Sequence, residues 1–252
     1  MNDALATVAR FRGLAEAYER YRPDYPPGAI AAVLAGVATP ADVADVGAGT
    51  GISTRALARA GARAVAIEPS SEMRAIARAR GCDARDGSAT ATGLIDASVD
   101  AVSAFQAFHW FATPDALAEF ARILRRPGRL AIVWNERALD DPFTAAFRAL
   151  AQQHGEAAMM AGIDFDEARL EPLLRAAGFV QFRLQTFANA QRVDRESLLG
   201  RMRSTSYAPR AGDALDRLIA DFAALHARFA SPGGTVEIRY KTEVFLADLR
   251  TA

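Results

Sequence analysis

The sequence predicts an α/β fold: a mostly parallel sheet covered on both faces by helices. Three observations predict it. Between residues 43 and 134, short apolar stretches alternate with segments of helical period. The candidate strands are apolar nearly throughout, as strands buried on both faces must be. The first of them runs into Asp45-Val46-Gly47-Ala48-Gly49-Thr50-Gly51, and a helical pattern begins at Ile52. The first strand-to-helix turn is therefore built on alternate glycines.

Each element has a local reason. Leu5, Val8, Phe11, Leu14, Ala15 and Tyr18 fall at helical spacing, which predicts a helix over 4–21. Arg22-Pro23 and Tyr25-Pro26-Pro27 end it, because proline disfavours helix at the residue before it. A short apolar helix follows over 29–35. A strand over 43–46 leads to a helix over 52–60, stopped by Gly61. A second strand is expected at 64–68. The next helix spans 70–80, with Ser70 as its N-cap and Gly81 at its end. A short strand is expected at 82–85 and a longer one at 99–105. Thr113-Pro114-Asp115 supplies a cap, a proline at the first helical position and an acid in the first turn. Leu117, Phe120, Ala121 and Leu124 then line one face; Pro127-Gly128 turns the chain into a strand at 130–134. Beyond residue 140, helices are expected at 143–154, 166–177, 196–203 and 213–229. Strands are expected at 179–188 and 235–247. The organisation predicted is one domain over 1–252: a helical cap (1–37), a ligand-binding core (38–137) and a substrate-side part (138–252).

The glycine turn carries the chemistry. Without a Cβ, glycine lets backbone N–H groups approach a ligand closely. Glu68 lies at the end of the second strand, where an acid usually holds a ribose hydroxyl pair. The chain is thus expected to bind an adenosine-containing cofactor. The spacing is G-x-G-x-G rather than the G-x-G-x-x-G of a dinucleotide fold, and Asp45 stands two residues before the first glycine. A fixed carboxylate there opposes a pyrophosphate and suits an ammonium group. That favours S-adenosylmethionine (SAM), which has an amino-acid moiety and no phosphate, over NAD.

Bulk properties exclude other classes. With 30 basic and 30 acidic residues the formal net charge is zero, and no basic block marks a nucleic-acid partner. The single cysteine, Cys82, forbids an intramolecular disulfide, which suits a cytoplasmic protein. No stretch reaches the ~20 apolar residues of a membrane span. His109, His154 and His226 lie far apart, so no metal site is expected.

Asp45 to Gly51 resembles the first motif of the class I SAM-dependent methyltransferases, and Ala66-Ile67-Glu68-Pro69-Ser70 resembles their second. Phe105-Gln106-Ala107-Phe108-His109-Trp110-Phe111 and Tyr18 to Tyr25 are similar to the small-molecule branch called type 11, which includes trans-aconitate methyltransferase-like proteins. The resemblance implies a Rossmann-like sheet of seven strands with an antiparallel last hairpin, an N-terminal helical lid and a helical insert near 190–229. It implies SAM as cofactor and S-adenosylhomocysteine as product. The cofactor residues expected are Asp45, Gly47, Ala48, Gly49, Thr50, Gly51, Glu68, Pro69, Met73, Ser88, Ala89 and Gln106. Arg22 joins them, facing either the methionyl carboxylate or an acidic substrate. Tyr18, Tyr21, Trp110, Asn135 and Tyr207 are substrate-side candidates, and His109 is a candidate general base or a structural histidine. The partner expected is a small-molecule acceptor, with a carboxylate among the candidates; the chain would act as monomer or homodimer. A SAM-binding protein without catalysis, or an NAD-type oxidoreductase, are the alternatives.

Overall fold

The computed structural model describes residues 12–156 and 167–250. Leu5, Val8 and Phe11 of the expected first helix lie outside the described residues. The chain begins with α1 (Ala15–Tyr21) and α2 (Pro27–Leu34). It then alternates through β1 (Asp42–Val46), α3 (Ile52–Arg59), β2 (Arg63–Ile67), α4 (Ser71–Ala79), β3 (Asp83–Arg85), β4 (Val99–Phe105), α5 (Pro114–Ile123) and β5 (Leu124–Arg137). Next come α6 (Pro142–Ala151), α7 (Glu167–Ala176), β6 (Phe179–Val193), α8 (Arg195–Arg203), α9 (Gly212–Phe229) and β7 (Val236–Leu249). Two of the caps are those the sequence predicts. The Ser70 side chain accepts from the Met73 N–H, and that of Thr113 from the Ala116 N–H.

Seven strands form one sheet in the order β3-β2-β1-β4-β5-β7-β6. The first five are parallel, and β7 runs antiparallel to both β5 and β6. Chain order reverses between β1 and β4. Outside the carboxyl ends of the strands at such a switch point lies the usual ligand crevice of an open α/β sheet.

Alternate residues of the strands feed two cores. Val46, Val102 and Ile132 pack with Phe108, Leu117 and Phe120 on one face. Val43, Ala101 and Val133 pack with Ile30, Val33 and Leu57 on the other. A third cluster joins α6, α8 and α9 around Phe147, Met202 and Phe222.

Three expectations are corrected. Leu124 does not continue the helix face: it is extended and pairs with Val99 as the first residue of β5. Pro127-Gly128 then sits inside the register shift that separates this pair from Ala101↔Arg129. Pairing with β4 overrides local turn chemistry there. The strand expected at 179–188 runs on to Val193, because β7 continues opposite it as far as Val236. The helix expected at 143–154 stops at Ala151 and gives way to a π-helical turn, with Gly155 at φ +113°.

Helices α1 and α8 pack closely because Gly200 has no side chain. A Cβ on Gly200 would stand 2.4 Å from the Tyr21 ring. Gly200→Ala should therefore cost about 1–3 kcal/mol through overpacking, read as a lower midpoint in urea unfolding. An unchanged midpoint would mean that α1 yields without cost.

Candidate functional site

The turn between β1 and α3 is shaped by what lies around it. Gly47, Gly49 and Gly51 all have positive φ, at 71°, 57° and 81°. Side chains there would be strained, and at two of the three they would also collide. A Cβ on Gly47 would stand 2.8 Å from Ala107 Cβ, and one on Gly51 2.6 Å from Cys82 Sγ.

Glu68 closes the other side of the turn. Its Oε2 accepts from the Gly49 N–H at 2.9 Å and its Oε1 from the Ser70 N–H at 2.8 Å. The side chain is 8 % exposed. Burial raises its pKa above the ordinary glutamate value, and the two backbone donors pull the other way.

Asp45 is placed differently from the cofactor-facing role expected of it. It is fully buried, one layer under the turn. Ser53 and Thr54, from the first turn of α3, each donate to Oδ2 at 2.6 Å; Ser103 of β4 donates to Oδ1 at 3.0 Å. The carboxylate thus ties β1, β4 and α3 together instead of projecting into open space. Burial lifts its pKa to about 6, against the opposing pull of three hydroxyls. Ser53, Thr54 and Ser103 were not singled out from the sequence. Hydroxyls two and three residues into a helix are ordinary, and only the fold aims them at one carboxylate.

A cavity of about 170 Å³ opens beside the turn, walled by Gly47 and Ala48. The structure brings Tyr18, Arg22, Gln106, His109, Trp110, Asn135 and Tyr207 to its lining, as the sequence suggests. Gly49, Thr50, Gly51, Glu68, Pro69, Met73, Ser88 and Ala89 do not line this cavity. Met73 and Ala89 are buried in packing, and Ser88 pairs with Ala91 in a tight turn. Tyr21 is not at the cavity either: its ring packs on Gly200, and its carbonyl accepts from Gln191 Nε2 at 2.8 Å. Asn135 lines the cavity while bonded to its neighbours: its Oδ1 accepts from Asn189 Nδ2 at 3.1 Å and from the Thr242 hydroxyl.

Gln106 follows β4 at φ +54°, an uncommon conformation for a residue with a side chain. The His109 ring packs against Trp110 with centroids 4.6 Å apart. Its Nδ1 is buried with no hydrogen-bond partner among the described residues, and burial pushes its pKa down to about 4. The imidazole is therefore neutral at pH 7.

Four arginines reach the lining (Arg22, Arg137, Arg148 and Arg201) against one acid, Glu136. Arg148 and Arg201 were missed in the sequence. The signal for Arg201 was present: it falls on the stripe made by Leu198 and Met202, where an apolar residue is expected.

The N-terminal helix is keyed to the glycine turn. Glu19 pairs with Arg55 at 2.8 Å, and Arg55 Nη1 donates to the Thr50 carbonyl at 2.9 Å. Behind α1, the strap is held by Asn189 Nδ2 donating to the Asp24 carbonyl at 2.9 Å.

Among the described residues, no three His, Cys, Asp or Glu side chains gather as a metal would need, and no helix is long and apolar enough to cross a membrane.

Known proteins match this chain. Residues 44–132, from β1 into β5, match a family model described as a methyltransferase domain. An uncharacterized methyltransferase of Schizosaccharomyces pombe is 32 % identical over 195 residues, covering 75 % of each chain. The chain belongs to the methyltransferase family. An uncharacterized methyltransferase of Mycobacterium tuberculosis is 46 % identical over 123 residues, and the chain spans about half the length of this relative. Two solved structures share the fold. The YcgJ protein of Bacillus subtilis superposes with a TM-score of 0.58 at 16 % identity, covering 89 % of this chain and 99 % of that one. A phosphoethanolamine N-methyltransferase 2 of Haemonchus contortus, in complex with S-adenosyl-L-methionine, gives 0.56 at 14 % identity, covering 99 % and 58 %.

Asp45 has a measurable signature. Its folded pKa lies above its unfolded value of 3.8, so the folded state holds the proton more tightly. The stability it contributes is complete below about pH 4 and is lost as pH rises through about 6. Asp45→Asn removes this dependence while keeping the shape. Between pH 4 and 7, the unfolding free energy of wild type should fall relative to the variant by up to about 3 kcal/mol. Parallel urea titrations at the two pH values measure it. Parallel pH profiles in the two proteins would mean that Asp45 titrates as in the unfolded chain.

Proposed function

We propose that the chain binds SAM across the glycine turn and transfers its methyl group to a small acidic acceptor in the adjoining cavity. The observation that carries this reading is Glu68 clamped to Gly49 on a glycine turn whose Gly47 and Ala48 wall an arginine-lined cavity. A carboxylate has about four lone-pair positions, and two N–H groups use two of them. The remainder suits the hydroxyl pair of a ribose. Asp45 beneath the turn adds negative potential, which opposes a pyrophosphate and favours an ammonium group. When bound, SAM supplies a methyl on a sulfonium, open to in-line displacement by the acceptor.

The remaining work belongs to the chain. Gln106 and His109, just beyond β4, stand where acceptor and methyl would meet. Holding reactants at near-attack distance is worth ~7–11 kcal/mol. His109 is a weak base at pH 7, because its pKa lies near 4. Its part is to position the acceptor by hydrogen bonding. A carboxylate acceptor is already a nucleophile and needs no base, which matches both the neutral imidazole and the excess of arginine in the lining.

Glu68→Ala should weaken SAM binding by about 10–100-fold, the worth of a charge-assisted hydrogen-bond pair, with the circular dichroism spectrum unchanged. Calorimetric titration with SAM and S-adenosylhomocysteine provides the measurement. Wild-type affinity in a folded variant would remove Glu68 from the ribose.

A further inference from the structure

Helix α8 carries an arginine where its neighbours are core. Leu198 and Met202 are fully buried, and Arg201 on the same face is 5 % exposed. Its Nε and Nη1 have no hydrogen-bond acceptor among the described residues. Arg22, at the end of the N-terminal helix, reaches the same cavity. Its guanidinium lies over the Tyr18 ring at 4.6 Å, and its Nη2 donates to the Ser204 carbonyl at 3.3 Å. Its Nε is buried and has no acceptor. Neither arginine has a carboxylate within ion-pair distance among the described residues.

Such an arrangement is costly alone. Buried donors without acceptors lose their hydration, and two like charges in one cavity repel. Burial first, and Arg201 second, bring the Arg22 pKa down to about 10. That is still well above neutrality, so the Arg22 guanidinium keeps its charge and deprotonation gives it no relief. An anion with two oxygens would satisfy both.

We propose that Arg22 and Arg201 form one seat for an anionic group of the acceptor, a carboxylate by chemistry, and that this anion ties the N-terminal helix to the insert. The proposal rests on reading the cavity as the acceptor site. Position separates the seat from the cofactor cradle. Tyr18 stands between them, its ring edge 3.9 Å from where a Cβ on Gly49 would lie. The groups on the far side of Arg22 belong to the insert and β7: Ser204, Arg201, Tyr207 and Tyr240. Arg201 is thus a specificity-determining residue supplied by the insert, and Arg22 makes the seat complete only when α1 lies against α8.

The chain has two tryptophans, and both Trp110 and Trp134 line the cavity, so intrinsic fluorescence reports on it. The test titrates malonate into protein saturated with S-adenosylhomocysteine, with sodium chloride at matched ionic strength as control. A saturable change in tryptophan emission and a rise in melting temperature are expected with malonate and not with chloride. Arg201→Met should raise the malonate half-saturation about tenfold or more, and Arg201→Lys should recover part of that loss. S-adenosylhomocysteine affinity in Arg201→Met should stay within about twofold, as expected of separate sites. Without malonate, Arg201→Met should melt no lower than wild type, because an unpaired buried charge has been removed. A lower melting temperature would assign Arg201 a structural role and overturn the seat. A matching loss of S-adenosylhomocysteine affinity would give the seat to the cofactor, which also overturns it. Normal cofactor binding with no malonate response would overturn the seat alone. Failure of wild type to bind S-adenosylhomocysteine would overturn the methyl-transfer reading and the seat's acceptor with it.

Discussion

A single buried carboxylate holds the centre of this structure. Asp45 sits at the end of β1, where the chain must leave the sheet and start a helix without a side-chain cap. Three hydroxyls from α3 and β4 converge on it. These hydroxyls offset part of the cost that burial places on the charged carboxylate. With strand, helix and neighbouring strand tied at one point, the glycine turn is held in backbone conformations that side chains would resist. Gly49 can then offer its N–H to Glu68. The cavity wall at Gly47 and Ala48 follows from the same geometry.

Burial shifts four ionisable groups around this point, with a sign set by the group. It raises the pKa of Asp45 and Glu68 and lowers those of His109 and Arg22. At neutral pH the result is a neutral His109 imidazole and a charged Arg22 guanidinium in one cavity. That combination favours positioning and charge neutralisation over proton transfer. Compensation is uneven: Asp45 is satisfied by three donors, whereas Arg201 has two donor positions without an acceptor among the described residues.

Polar ties add to apolar packing in holding the elements that cover the cavity. Glu19, Arg55 and the Thr50 carbonyl connect α1 to the glycine turn. Asn189 and Gln191, on the part of β6 that extends past residue 188, hold the carbonyls of Asp24 and Tyr21. The extension of β6 thus supplies two of the anchors of the strap after α1.

The sequence by itself determined the parallel α/β core, because strand apolarity, helix caps and the glycine turn are local signals that agree with one another. Asp45, Gly47, Gly49, Gly51 and Glu68 were legible for the same reason: their spacing in the chain is their spacing at the turn. Only the tertiary structure decided the start of β5 at Leu124 and the end of β6 at Val193, since strand limits depend on where a partner strand lies. It also decided that Tyr21 packs on Gly200, that Asp45 turns down to Ser53, Thr54 and Ser103, and that Arg22 and Arg201 share one cavity although 179 positions separate them in the sequence (201 − 22). Such residues meet only once the sheet has closed and the insert has folded across its edge, and no local pattern records which of them will face each other.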